Sequence, residues 1–160
     1  MRLHVLPMSL QLIDELLAGS RQIGHLVIID GALPPTFILE QAAAAMTRGE
    51  PAFWHSPRLF VVEETSSAVG AGGYKGSPSN GSVAIGYNVA ESCRAKGYAT
   101  EAVRQLVQEA LLQPGISQVH AEIAVDNLAS RRVVEKVGFV HAAQRETASD
   151  GLVEQWVFKT

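Results

Sequence analysis

The residues best suited to chemistry stand together at Arg94-Ala95-Lys96-Gly97-Tyr98-Ala99-Thr100. Two cations, a glycine and small neighbours fall where a strand-like run gives way to a helical one, and the first turn of a helix leaves its amide hydrogens unpaired. Those amides carry partial positive charge, so the turn can take an anion, and the missing Cβ at Gly97 lets a phosphate approach the backbone. The predicted ligand is a pyrophosphate. Lys96 precedes Gly97, so the Gly-Lys-Ser/Thr ending of a Walker loop is absent, and one glycine does not make the three-glycine dinucleotide fingerprint. Nucleotide hydrolysis and a nucleotide-binding structural role are both disfavoured. The same residues would also suit a plain strand-to-helix turn with exposed cations.

Two elements must hold this loop. Val83 to Val89 is rich in β-branched and aromatic types and reads as a strand. From Ala99 the apolar residues Ala102, Val103, Leu106, Val107, Ala110 and Leu111 recur with the rhythm of one buried helical face, until Gln113-Pro114-Gly115 stops the helix. Val119 to Val125 is a second strand, so strand, helix and strand imply a parallel neighbour for the first. His120 and Glu122 share one face of that neighbour if it is regular. Asp126-Asn127 opens a short helix reaching about Val137, with Gly138 as its stop.

With its surroundings the loop resembles the GNAT superfamily of acetyl-CoA-dependent acetyltransferases, whose signature Arg/Gln-x-x-Gly-x-Gly/Ala is filled by Arg94, Gly97 and Ala99. The phrases Ile85-Gly86-Tyr87-x-Val89, Gly97-Tyr98-Ala99-Thr100-Glu101-Ala102, Asp126-Asn127-x-x-Ser130 and Val137-Gly138-Phe139 are similar to the RimJ/RimL-type branch, the N-terminal acetyltransferases of ribosomal proteins. The likeness covers Gly70 to Phe139. It implies an α/β fold of the α+β kind: a mixed, mostly antiparallel sheet of six to seven strands with one parallel, splayed pair, flanked by about four helices. It also implies acetyl-CoA as cosubstrate, no metal, and a primary amine of a small molecule or protein N-terminus as acceptor.

Residue by residue, the resemblance assigns Arg94 to Thr100 to the pyrophosphate, the backbone of Tyr87, Asn88 and Val89 to the pantetheine arm and acyl oxygen, and Asn127 and Ser130 to the region of the arm and sulfur. The glutamate that many relatives carry before the Ile-Gly-Tyr phrase is replaced by Ala84, and the familiar acid tyrosine by Val134. Glu122, five residues before Asn127, holds the spacing of the base in the ribosomal type; an outward-facing strand carboxylate is the alternative. Ser130 is the remaining group near the sulfur, expected to orient the thiolate more than to protonate it. Asn127 can also serve as a helix cap. The two missing groups keep open a non-catalytic acyl-CoA-binding module on the same fold.

The remaining chain supplies the frame. Arg2 to Leu6 reads as a strand, followed by a helix with Leu10, Ile13, Leu16 and Leu17 inward and Ser9 as N-cap. His25 to Ile29 is ambiguous, and a second helix runs roughly from Thr36 to Met46. The resemblance makes Leu26 to His55 the lid over the acceptor. Phe53, Trp54 and His55 fit rings packed on a sheet edge better than substrate contacts. Leu59 to Glu63 and Ala68 to Tyr74 read as an antiparallel pair, with Gly70, Gly72 and Gly73 marking a bulge or a close backbone approach. Asn80-Gly81 makes a hairpin turn, and Phe139 to Thr147 with Leu152 to Phe158 a last hairpin.

A chain of 160 residues with 47% hydrophobic content suits one GNAT domain over residues 1–160. Its formal charge of −3 and the absence of a Lys/Arg run argue against nucleic acid as partner. Neither a signal-peptide pattern nor a run long enough for a bilayer is present, so no membrane partner and a cytoplasmic setting are expected. The lone Cys93 excludes an internal disulfide and is taken as a bystander. Oligomeric state is open, with a homodimer among the options.

Overall fold

The computed structural model describes residues 3–160. Arg2, placed in the first strand by the sequence reading, lies outside the described residues. Among the described residues nine strands form one sheet: β1 (Leu3–Pro7), β2 (Gln22–Ile23), β3 (Leu26–Ile28), β4 (Arg58–Val62), β5 (Ser67–Tyr74), β6 (Ser82–Val89), β7 (Gln118–Ala124), β8 (Val140–Thr147) and β9 (Gly151–Lys159). The main path runs β1-β4-β5-β6-β7-β9-β8, with β3 beside β5 and β2 beside β3. Every neighbouring pair on the main path is antiparallel except β6 and β7. The expected six to seven strands match the main path; β3 lies in the stretch read as ambiguous and β2 just before it, and both are too short to show a period.

Five α-helices accompany the sheet among the described residues: α1 (Leu10–Leu17), α2 (Thr36–Thr47), α3 (Ala52–His55), α4 (Tyr98–Leu111) and α5 (Leu128–Val137). The extra helix beyond the expected four is α3, a single turn. One face of the sheet packs on α4 and α5, burying Val83, Ile85, Val103, Leu106, Val119, Ala121 and Val134 in a common core. The opposite face packs on α1 and α2, with Ile13, Leu16, Leu39, Leu59 and Ala71 in a second core. Ser9 caps α1 by accepting from the Leu12 amide at 3.1 Å, as its position in the sequence implies.

The glycines of β5 have a steric cause. A Cβ on Gly70 would stand 2.3 Å from the Asn88 carbonyl oxygen, and one on Gly72 2.6 Å from that of Gly86. Both expected meanings hold: β5 approaches β6 closely, and Val69 is an extra residue against β4, where the register steps from Phe60↔Gly70 to Val61↔Ala68. Phe53 and Trp54 pack on Tyr74 with ring centroids 5.4 and 4.9 Å away, which agrees with a structural role. No helix among the described residues is long and apolar enough to cross a membrane.

Candidate active site

Pairing between β6 and β7 runs from Ser82↔Gln118 to Ile85↔Ala121 and stops there. Both strands continue, β6 to Val89 while still paired with β5, and β7 to Ala124 while still paired with β9. A gap therefore opens between two strands that are each held from behind. The Lys75 amide donates to the Ala84 carbonyl at 2.8 Å and the Ala90 amide to Val69 at 2.7 Å, so even-numbered residues of β6 aim their backbone at β5. Odd-numbered Tyr87 and Val89 aim theirs into the gap. The Val89 carbonyl accepts from Arg94 Nε at 3.1 Å, while the amides of Tyr87 and Val89 face the gap without a strand partner.

This alternation corrects the sequence reading at Asn88. Its amide belongs to the β5 ladder, and its side chain donates to the Gly31 carbonyl at 3.1 Å on the α2 face. Asn88 thus anchors the loop before α2 and does not join the amides that line the gap.

The gap leads to the head of α4. Gly97 takes φ +83° at the N-cap position, and no side chain caps the helix. The first intrahelical bond is Glu101 N–H to the Gly97 carbonyl at 3.1 Å, which leaves the amides of Tyr98, Ala99 and Thr100 free of intrahelical partners. Ala95 holds a left-handed φ of +62°, costly for a residue with a Cβ, and the loop around it is exposed. Arg94 spends its Nε on Val89 and so ties the loop to the end of β6, while Lys96 stands at the loop's solvent side. Uncapped amides, a glycine and a nearby lysine fit a pyrophosphate, and the open strand edges beside them fit an extended amide-bearing arm.

On the other side of the gap Asn127 caps α5, its Oδ1 accepting from the Ser130 amide at 3.1 Å. The Ser130 carbonyl in turn accepts from the Tyr87 hydroxyl at 3.3 Å. Burial pushes that hydroxyl up to about 12, and the side-chain hydroxyl of Ser130, a donor to the ionised form, offsets part of the shift. Val134, where the tyrosine of relatives would fall, is fully buried. A phenol does stand near Ser130, delivered from β6. The Ile-Gly-Tyr phrase contained it, but no periodicity says which way a ring reaches across a gap.

Glu122 lies one residue beyond the last β6–β7 pair, at the mouth of the gap, on the face away from α4. It is not free there. Arg145 of β8 grips Glu122 Oε2 with both Nε, at 2.7 Å, and Nη2. An amine entering the gap therefore meets a Glu122 whose Oε2 is already occupied by Arg145. The partner was invisible in sequence because it comes from a strand two positions away in the sheet. His120 shares that face; its Nδ1 lies 2.9 Å from Ser82 Oγ, and desolvation lowers its affinity for a proton.

Between α2 and the same sheet face lies a cavity of about 970 Å³, bounded by Leu33, Pro34 and Ile38 on one side and by Gly86, Asn88 and Lys75 on the other. His55 also lines it, 3.1 Å from Ser77 Oγ. The segment from Leu26 to His55 thus contributes one wall of a space whose other wall includes Gly86, Tyr87 and Asn88, the β6 residues beyond the last β6–β7 pair.

Residues 2–140 match the family model described as the acetyltransferase (GNAT) domain. The chain belongs to the GNAT acetyltransferases. It is 36% identical over 83 residues to the uncharacterized N-acetyltransferase YjdG of Bacillus subtilis (strain 168), a stretch covering 51% of this chain and 49% of that protein. The chain spans about half the length of the curated relatives it matches. In three dimensions this GNAT chain superposes on RimL, the ribosomal L7/L12 alpha-N-protein acetyltransferase in complex with coenzyme A, with TM-score 0.71 at 16% identity, covering 98% of this chain and 93% of that one. It also superposes on the aminoglycoside acetyltransferase AAC(6')-Ib in complex with coenzyme A, with TM-score 0.69 at 19% identity over 99% and 95% of the two chains. These likenesses establish the shared GNAT fold.

Proposed function

We propose that the chain, as one GNAT domain, transfers the acetyl group of acetyl-CoA to a primary amine of a small molecule or a protein N-terminus by direct attack in a ternary complex. The observation that carries this reading is the loss of β6–β7 pairing beyond Ile85 and Ala121, opening toward the uncapped head of α4. Acetyl-CoA supplies an activated acyl carbon. The Tyr87 and Val89 amides hold the arm and polarise the acyl oxygen, a task backbone donors perform well in a sheltered site. Tyr98, Ala99 and Thr100 amides, with Lys96, hold the pyrophosphate, and Arg94 and Ala95 shape the loop. The amine nitrogen bonds to the acyl carbon, the carbon–sulfur bond breaks, and the amine's proton leaves through the open cavity to solvent.

The Tyr87 hydroxyl, turning from the Ser130 carbonyl to the sulfur, gives its proton to the departing thiolate and takes one back from solvent before the next cycle, with Asn127 holding the start of α5 in place. The motif pattern and the RimL likeness support a RimJ/RimL-like branch, and a cytoplasmic setting suits such a role. Isothermal titration with acetyl-CoA, followed by an amine panel read by thiol release, tests the proposal. Tight binding abolished by Gly97→Glu and thiol release with at least one amine are expected.

A second reading, an acyl-CoA-binding module without turnover, is favoured by Ala84, Val134 and the engagement of Glu122 by Arg145. Binding without release of thiol across the whole panel would select it.

A further inference from the structure

The cavity beside the gap has an unbalanced charge. Leu33, Pro34, Ile38 and Ala45 make its α2 side apolar, and no carboxylate lines it among the described residues. Three basic side chains do line it. Arg48 and His55 share Glu50 just outside the wall, at 2.5 and 3.5 Å. Lys75 has no carboxylate within ion-pairing distance among the described residues; of the two that share a second hollow with it, Glu122 is engaged by Arg145 and Asp150 accepts from the Ser149 hydroxyl.

Lys75 is also aimed. Its amide closes the β5 ladder on Ala84, and its side chain crosses Gly86, where a Cβ would stand 3.0 Å from Lys75 Cε and 4.0 Å from Nζ. Gly86 directly follows the last β6 residue paired with β7, so the ammonium stands where the gap meets the cavity. An acceptor reaching the gap from this side has to pass it.

We infer that the acceptor is an amine that also carries a carboxylate within a few bonds of its nitrogen, and that Lys75 receives that carboxylate. The inference rests on the acetyl-transfer reading above. A carboxylate satisfies the unpaired ammonium with a charge-assisted hydrogen bond. The same ammonium disfavours a second positive charge beside it, so the bound amine shifts toward its neutral, nucleophilic form. That effect supplies what the chain lacks at Ala84. A polyamine fits poorly, since its remaining ammonium groups would meet Lys75 and an apolar wall with nothing acidic to answer them.

The test uses a matched set with acetyl-CoA: phenylalanine, phenylalaninamide, phenethylamine and spermidine, read by thiol release. Two amidated dipeptides, aspartylphenylalaninamide and alanylphenylalaninamide, separate a free amino acid from an acidic chain terminus as the source of the carboxylate. In one of the two pairs the acid should exceed its neutral partner by about tenfold in kcat/KM, the effect of one hydrogen bond to a charged group, and the pair that shows it names the source of the carboxylate. Phenylalaninamide has the less basic amine, so a preference for phenylalanine runs against intrinsic reactivity. Lys75→Met should bring the acid-to-neutral ratio toward one through KM, and Lys75→Arg should restore much of it. Titration of N-acetylphenylalanine and its amide into the CoA-loaded protein reads the same preference without turnover. Acetyl-CoA binding with no preference for the acid in either assay, or with preference for spermidine, overturns this inference alone; failure to bind acetyl-CoA overturns the acetyl-transfer reading with it.

Discussion

Tyr87 donates its phenolic hydrogen to the Ser130 carbonyl, 3.3 Å away, joining β6 to α5 across the open end of the strand pair. Tyr87→Phe should lower kcat by at least tenfold, at or below the usual span for general acid catalysis, with a smaller change in KM for acetyl-CoA. With the hydroxyl held up near 12, wild-type kcat should rise as the bound amine loses its proton and show no descending limb below about pH 11. A steady-state pH profile of both proteins checks this, and an equal kcat in the two would remove Tyr87 from the chemistry.

Gly97→Glu should abolish acetyl-CoA binding in calorimetry. It sets a carboxylate before three free amides and forces a Cβ into a backbone at φ +83°. Gly97→Ala carries only the backbone strain, about 1 kcal/mol, and should retain binding. Equal affinity of Gly97→Glu and wild type would place the pyrophosphate elsewhere.

Glu122→Gln should keep turnover within a few-fold of wild type, because Arg145 already occupies that carboxylate. The pair is part-exposed, so its loss should cost at most about 1 kcal/mol in urea denaturation. A thousandfold fall in kcat with unchanged stability would restore Glu122 as the base.

Gly70→Ala should destabilise the protein by about 3 kcal/mol, as overpacking against backbone does. The added methyl would stand 2.3 Å from the Asn88 oxygen and 3.1 Å from Phe60 Cδ2. Chemical denaturation reads the effect, and a loss under about 0.5 kcal/mol would mean that β5 and β6 separate easily.

His120 ties stability to acid. Desolvation leads the lowering of its folded-state pKa from 6.5, with Lys75 adding to it and Glu122 opposing. Below about pH 6.5 the unfolded chain takes up a proton that the folded chain resists, so stability is full above that value and falls as the pH drops through the depressed one. His120→Gln should flatten the decline in melting temperature between about pH 6.5 and 5. An unchanged slope would assign the decline to other groups.

Much of the fold was legible because its signals are local. Helical rhythm marked α4, and turn chemistry marked Asn80-Gly81, which takes φ +52° and +77° between β5 and β6. The uncapped head of α4, with Gly97 at φ +83°, was legible because one short segment builds it. The environments of Glu122 and Lys75 were not, since each is decided by a strand or chain segment distant in sequence: Arg145 meets the first, and the break between β6 and β7 gives the second its place. Asn88 failed for a finer reason. Neighbouring strand residues alternate their backbone direction, so three consecutive residues cannot all face one slot.

The interrupted pairing of β6 and β7 also bears on motion. Without a guest, the ends of both strands lack the cross-links that stiffen a sheet, and their amides should exchange hydrogen with solvent faster than those at Val83 and Val119. An occupant that supplies its own amides would act as a stitch, so the first substrate to arrive should prepare a firmer floor for the second.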